Sequence, residues 1–477
     1  MVATASERTP VALSRVRAIP LRRVKGRFDS AATTDDNRRH WANADALSAD
    51  AAANPEVRRT LRNRSRYEVA NNSYARGIVL TLANDAVGTG PRLQMLTESA
   101  RANDEIEHEF ERWAHEVGLA EKLRTMRMAR CQDGEAFAIL VNNAALDHPV
   151  TLDLRLIEAE MVRSPWRMQT PGREVDGIRL DTFGNPAAYN VLKSHPGSIE
   201  WQPRDEFMTV PASHVIHAFR VERPGQHRGI PEITPALPLF AQLRRFTLAV
   251  LSAAEAAADF AGILYTDAPA NGESDAVEPM DAIELERNML LTMPGGWKMS
   301  QIEPMQPATT YAEFKKEILN EIARCLNIPF NVAAGNSSGY NYASGRLDHQ
   351  TYFKAIRVDQ AFMAEKILDR ILYAWLWEYA LSVTSDVLPA TSLRRVMPDH
   401  QWFWDGVEHV DPAKEASAQE RRLRNNTTTL AHEYARQGKD WEAELHQRSR
   451  EKALIRKLGL DDSAAVPAGK ASDDDSR

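Results

Sequence analysis

Cysteine is almost missing from this chain. Cys131 and Cys325 are the only two in 477 residues. Neither has a second cysteine nearby to make a zinc motif, and two cannot build a disulfide framework, so a reducing, cytoplasmic setting is expected. Long apolar runs are missing too. The most apolar window, residues 246–265, carries Glu255 and Asp259 in its second half. Both would sit deep in a bilayer at considerable cost, so no membrane span is expected. The Arg-rich beginning (Arg8, Arg15, Arg17, Arg22, Arg23) has no apolar run, which excludes a secretory signal. Positive net charge is also lacking. Lys and Arg number 59 against 66 Asp and Glu, a formal charge of -7, which argues against a protein whose main work is gripping nucleic acid tightly. There is no GxxxxGK[ST] phosphate loop and no nucleophile elbow.

What remains is ordinary soluble material: 43% hydrophobic, 26% charged, mean hydropathy -0.44. The length allows two to four domains. Residues 1–60 are polar, Ala-rich and weakly periodic, and read as a flexible arm. Order is expected from Leu61. Over residues 61–230 the pattern is mixed, with helices at 67–86 and 103–117 and strands at 137–141, 152–157, 188–192 and 215–219. From Pro231 the chain turns helical. Leu239, Leu243, Phe246 and Val250 share one face of a long helix running as far as Gly262. An acidic Pro/Gly-bearing loop (267–281), a short strand (289–292) and the turn Pro294-Gly295-Gly296 make a small inserted unit. A second long helix is expected from Thr310, with Glu313 completing a capping box, and Pro329 stops it. Residues 331–344 read as an exposed Gly/Ser/Asn loop. A third helix follows over 345–379, with Tyr352, Ile356, Phe362, Met363, Ile367, Ile371 and Trp375 as its stripe. Beyond the aromatic patch Trp402, Phe403, Trp404 come shorter helices, with Asp411 and Asp440 as N-caps. Residues 461–477 read as a disordered tail. The fold class is α+β, mainly helical.

Local groups that resemble chemistry have plainer readings. Asp133-Gly134-Glu135 is a turn more readily than an acid–base pair. His214 and His217 fall in a strand, on opposite faces, without a third ligand. Gly88-Thr89-Gly90-Pro91 is a turn ending a helix. No catalytic, cofactor-binding or metal-ligating residue is assigned.

A string of short matches, in order, spans about four-fifths of the chain. They include Arg66-Tyr67-Glu68 with Asn71-Asn72, Tyr74-Ala75 with Gly77, the run 84–91 (NDAVGTGP) and Asp133-Gly134-Glu135-Ala136-Phe137. The sharpest is Arg223-Pro224-Gly225-Gln226 with Arg228-Gly229-Ile230-Pro231. Asn341-Tyr342 with Ser344 and Arg346, Asp411 to Glu415 and Gly438-Lys439-Asp440-Trp441 complete the set. In these the chain resembles the lambda-type phage portal proteins.

The resemblance implies a homo-oligomeric ring of about twelve subunits at one capsid vertex, a head–tail connector through which double-stranded DNA passes. It implies a wing (61–230 with the long helix 345–398), a two-helix stem (231–265 and 310–330), a small clip (266–309), a tunnel loop (331–344) and a helical crown (399–460). The implied partners are the terminase large subunit, head-completion and tail-joining proteins, scaffold and major capsid protein, with no membrane. The implied place is the virion, after assembly in the bacterial cytoplasm. DNA-channel candidates are Lys315, Lys316, Asn336, Ser337, Ser338, Tyr340, Asn341 and Tyr342. Two rival readings remain: another head–tail adaptor, or a metal-dependent hydrolase built on Asp133, Glu135 and the histidines.

Overall fold

The computed structural model describes residues 31–165, 174–199, 206–259, 263–266, 297–300, 308–382, 397–406 and 412–460. The chain divides into two units, Met1–Ser48 and Ala49–Arg477. Residues 31–48 form turns of their own, pinned where Thr34 N–H donates to Asn37 Oδ1 at 2.8 Å.

The second unit opens with helices α1 (Ala49–Ala52), α2 (Pro55–Asn71) and α3 (Ser73–Val87). Order therefore starts before Leu61, a correction to the expected arm. The sequence conceals it because α2 buries a polar face, Arg58, Arg62, Ser65 and Glu68. The single helix expected over 67–86 is also corrected to two. Asn72 breaks it, its N–H donating to Glu68 O while its Oδ1 accepts from Tyr74 and Ala75 N–H.

Strand β1 (Arg92–Met95) leads to α4 (Ala100–Glu116) and α5 (Leu119–Asp133). Then follow β2 (Glu135–Asn142), β3 (Leu152–Ile157), β4 (Glu174–Val175), β5 (Ile178–Leu180), β6 (Pro186–Leu192), β7 (Phe207–Pro211) and β8 (Val215–Phe219). These make two antiparallel sheets, ordered β3-β2-β8 and β4-β5-β6-β7. Alternation along β2 builds two cores from one strand: Ala136 and Ala138 face one, Phe137 and Ile139 the other.

Helix α6 (Leu237–Asp259) starts later than expected, after a 3-10 turn at Thr234–Ala236, and ends before β9 (Ile263–Thr266). Strand β9 pairs with β10 (Trp297–Ser300). The remaining expected elements of the inserted unit lie outside the described residues, as does the tail 461–477. Helix α7 (Ala308–Cys325) begins two residues before Thr310, which is therefore not its cap. It ends where Asn327 takes a left-handed conformation (φ 55°) before Pro329. The expected 331–344 loop is also corrected. Residues Phe330–Ala334 form a short helix α8, and α9 (Tyr342–Met363) starts early because Asn341 and Ser344 form a capping box. A π-turn (Ala364–Leu368) joins α9 to α10 (Asp369–Ser382).

The residues after 399 are not all helical. Strand β11 (His400–Phe403) pairs with β1, so the Trp402 patch belongs to the body. Helices α11 (Pro412–Arg424), α12 (Leu430–Ala435) and α13 (Trp441–Lys457) follow. Asp440 caps α13 as expected, while Asp411 lies outside the described residues.

Three cores result. The first packs α4, α5, β2 and α10 around Phe110, Trp113 and Trp375, all buried. The second packs α3, α6, α7 and the middle of α9 around Phe240, Ile322 and Tyr352. The third lies between the two sheets, around Phe137, Ile178 and Tyr189. Each fully buried side chain of this size contributes roughly 1.5–3 kcal/mol.

The junction of α5 and β2 crosses the segment before α6 backbone to backbone. Gly134 (φ 93°) and Gly229 lie so close that a methyl on Gly134 would overlap the backbone of Ile230 and Pro231, and one on Gly229 would overlap Gly134. Gly77, inside α3, is the opposite case: a methyl there would have nothing within 4 Å. Gly134→Ala and Gly229→Ala are each expected to lower stability by several kcal/mol, on the order of a core disruption. Gly77→Ala should raise it by roughly 0.5–1 kcal/mol. Urea unfolding of the three variants checks the contrast; equal effects would contradict the crossing.

Candidate functional site

The motifs that stand out in the sequence converge on buried ionic nodes, not on an open cleft. At the first node Glu135, fully buried, accepts from Arg228 (Nε 2.9 Å, Nη2 2.6 Å), from Gly229 N–H (3.0 Å) and from His217 Nε2 (3.1 Å). A carboxylate only accepts, so His217 carries its proton on Nε2, and its Nδ1 receives the Tyr189 hydroxyl at 3.4 Å. Burial pushes the Glu135 carboxyl up, but Arg228 and the His217 hydrogen bond outweigh it and hold it well below the usual range. Burial likewise lowers His217 and keeps its ring neutral, Glu135 offsetting only part of this. Arg228 also reaches Asp176, which ion-pairs with Arg58.

Asp133 is held by Arg66 through both oxygens (2.7 and 3.0 Å), though burial still moves its carboxyl upward. Arg66 also pairs with Glu158 (3.1 Å) and Glu160 (3.0 Å). These two glutamates and His195 bring donor atoms close enough to suggest a metal site. The guanidiniums of Arg66 and Arg62 supply the positive charge there. His214 stands apart, exposed, beside Ser213 Oγ.

A second node, which the sequence does not reveal, joins α5, the segment before α6, and α9. Arg127 and Arg130 each bond both Glu232 (3.0 and 2.8 Å) and Asp359 (3.0 and 2.5 Å). Arginines at i and i+3 with helical surroundings are the available signal. The Gly88-Thr89 turn is a third joint. Thr89 donates its N–H (2.5 Å) and hydroxyl (2.7 Å) to Asp405, so a carboxylate of the chain itself occupies the place an anion would take.

Glu135 falls in the depressed class: its contribution to stability is present above the unfolded value of ~4.3 and is lost as pH falls through the lower folded value. Glu135→Gln leaves Arg228 buried with its main counter-charge gone and should cost about 3–5 kcal/mol at neutral pH. The variant's unfolding free energy should also fall less steeply below pH ~4.3 than the wild type's. Parallel slopes in denaturant titrations across pH would contradict the assignment.

The DNA-channel candidates lie elsewhere. Helices α6 and α7 form an antiparallel pair in which Phe246 stacks on Tyr311 (centroids 5.9 Å) and meets Phe314 (4.1 Å). Lys315 and Lys316 point differently. The Lys315 ammonium lies over the rings of Tyr74 (5.2 Å) and Tyr311 (6.0 Å), and a hydrogen bond with Tyr74 raises its pKa. Lys316 is exposed. Asn336, Ser337, Ser338 and Asn341 are exposed on residues 335–341, with Tyr340 half-buried. Asn336 Oδ1 accepts from Ser338 N–H at 2.9 Å, and Gly335 and Gly339 take left-handed turns. Asn341 caps α9, and Tyr342 is its first residue. The structure thus brings the loop residues together and separates the two lysines from each other.

Residues 35–360 match the family described as phage portal protein, lambda family. The chain is also 25% identical over 442 residues to a protein named probable portal protein from Halomonas phage phiHAP-1, covering 86% of this chain and 83% of that one. Among solved structures, it is similar to a chain in the virion of the native gene transfer agent particle. That likeness is 14% identical with a TM-score of 0.42, over 76% of this chain and 88% of that one. A chain in the neck of the empty gene transfer agent particle is 14% identical with a TM-score of 0.44, over 83% and 99%. The family match runs across both ionic nodes, α6, α7, the uncharged loop and most of α9: this chain belongs to the lambda family of phage portal proteins.

Proposed function

We propose that the chain forms a ring of about twelve copies at one capsid vertex and that double-stranded DNA crosses it during packaging and ejection. The observation that carries this reading is the α6–α7 pair followed by a loop, residues 335–341, that has no charged residue. A conduit must let phosphates pass at every register, and an uncharged lip neither binds nor repels them strongly. In this reading α6 and α7 are the stem, the residues between them the clip and residues 335–341 the tunnel loop. The α+β body with α9 and α10 is the wing, and α11 to α13 are the crown. Of the two lysines, Lys316 is the candidate for a weak phosphate contact, since Lys315 is spent on two tyrosines.

The chain acts as a mechanical part and not an enzyme. The terminase large subunit docks at the clip and supplies the ATPase, and head-completion and tail-joining proteins follow it there. Scaffold and major capsid protein surround the ring as the head assembles in the bacterial cytoplasm, and the ring stays in the virion. The hydrolase reading gains nothing from Asp133 and Glu135, whose oxygens are taken up by guanidiniums.

Replacing Asn336, Ser337, Ser338 and Tyr340 with alanine, and leaving the Asn341 cap intact, should give rings of unchanged mass. In a packaging reaction with the motor, those rings should yield less nuclease-protected DNA. Unchanged DNA yield would remove the loop from the mechanism, and loss of the rings would make it a structural element.

A further inference from the structure

Helix α13 is anchored tightly at its root and exposed along the rest. The root is packed backbone to backbone: a methyl on Gly438 would overlap Trp404 O and Gly406 N, and one on Gly406 would overlap Gln437. Two hydrogen bonds from β1 fix the same place, Arg92 Nη1 to Gly438 O (3.0 Å) and Gln94 Nε2 to Asp440 Oδ2 (2.9 Å). Beyond it, none of the 17 residues of α13 is buried. A cleft of about 860 Å³ lies between α4 and the first turns of α13.

Both walls of that cleft are acidic. Asp104, Glu107 and Glu111 line it from α4, Asp440 and Glu444 from α13, and Glu121 from α5. The nearby cations are engaged: Arg92 on Gly438 O, Arg124 on Gly88 O (2.7 Å) and Lys439 on Glu444 (3.6 Å). His108 and His115 are exposed on α4. Among the described residues no cation forms an ion pair with Asp104, Glu107, Glu111 or Asp440. Glu107 is half-buried, and its Oε1 accepts from Met95 N–H of β1 at 2.6 Å. One strand thus holds both Asp440 and Glu107, and two carboxylates meet at one joint. Burial pushes the Glu107 carboxyl up to about 7; Met95 N–H opposes this, and Asp440, Asp104 and Glu442 add to it.

We propose that this joint is a proton-sensitive latch: with a proton on Glu107, α13 lies closed on α4, and when Glu107 ionises, repulsion from Asp440 and Glu442 swings α13 outward about Gly438. The latch belongs to the single chain and does not depend on the ring reading. In the open form Glu107 meets water and loses those two neighbours, so its carboxyl returns toward ~4.3. The closed form holds the proton more tightly. Closure is therefore fully favoured below ~4.3 and weakens as pH rises through about 7.

The test is a distance measurement by electron spin resonance on full-length protein. Spin labels go on Arg112→Cys of α4 and Ser449→Cys of α13, both exposed, with Cys325→Ser and labelled chains diluted into unlabelled ones. Between pH ~5 and pH ~8.5 the ratio of closed to open chains should fall at least ~10-fold, since each unit of difference in proton affinity is worth tenfold. Glu107→Gln keeps the acceptor for Met95 but cannot ionise, and should stay closed at every pH. Asp440→Asn keeps the helix cap and the acceptor for Gln94 while removing a charge, and should lessen the fall. A distance that does not change with pH in the wild type, or a fall that survives Glu107→Gln, would overturn the latch. If circular dichroism shows that Glu107→Gln does not fold, Asp440→Asn decides: a fall as large as the wild type's overturns the proposal.

Discussion

A carboxylate with no exposure to water is tolerated only when cations and donors saturate it, and Glu135 meets that condition with Arg228, His217 and the amide of Gly229. Glu135 opens β2 just past α5, and these partners come from the edge strand β8 and the segment leading to α6. Because Gly134 and Gly229 cross without room for a side chain, the charge pairing and the backbone packing fix the same geometry. A buried ion pair is weak evidence for net stability, since an apolar replacement often does as well. Removing one partner is a different matter, because it leaves the other charge buried and uncompensated.

The geometry around Glu135 passes directly to the helices proposed as the stem. Gly229 is followed by Ile230 and Pro231, and Glu232 then enters the second node with Arg127, Arg130 and Asp359. Burial alone would raise Glu232 and Asp359, but the two arginines hold both below the usual carboxylate range. Within one short segment the chain is therefore anchored twice before α6 begins, and α9 is anchored at the second point. In the ring reading proposed above, the long helices are thereby fixed at their roots. The loop at residues 335–341, by contrast, is tied mainly by its own turns and by the cap at Asn341.

The sequence is most informative where apolar periodicity decides the structure. Strands 152–157 and 215–219 fall where alternation places them, and the Phe246 stripe of α6 packs as its spacing requires. It is least informative where the buried face is charged. Helix α5 is hidden because Arg127, Arg130 and Asp133 interrupt its apolar face, and α2 reads as part of the arm because Arg58 and Arg62 occupy its inner side. Those arginines are satisfied only by acids far away in sequence, 73 positions for Arg62 with Glu135 and 232 for Arg127 with Asp359, which local pattern does not show. The matching motifs are legible as a family signature, yet Asp133-Gly134-Glu135 and Arg228-Gly229 are joints of the scaffold. The candidate channel residues sit on quieter sequence. Only the structure separates Lys315, lying on two tyrosines, from the exposed Lys316.

The central claim is that this chain works as a ring with an open axis. The most direct measurement is electron cryo-microscopy of the purified protein, with scaffold added if it stays monomeric. The account predicts a rotationally symmetric ring whose channel admits duplex DNA, with residues 335–341 at its lip and α6 and α7 along its wall. A compact closed dimer with no channel, or a ring that turns the loop outward, would contradict it.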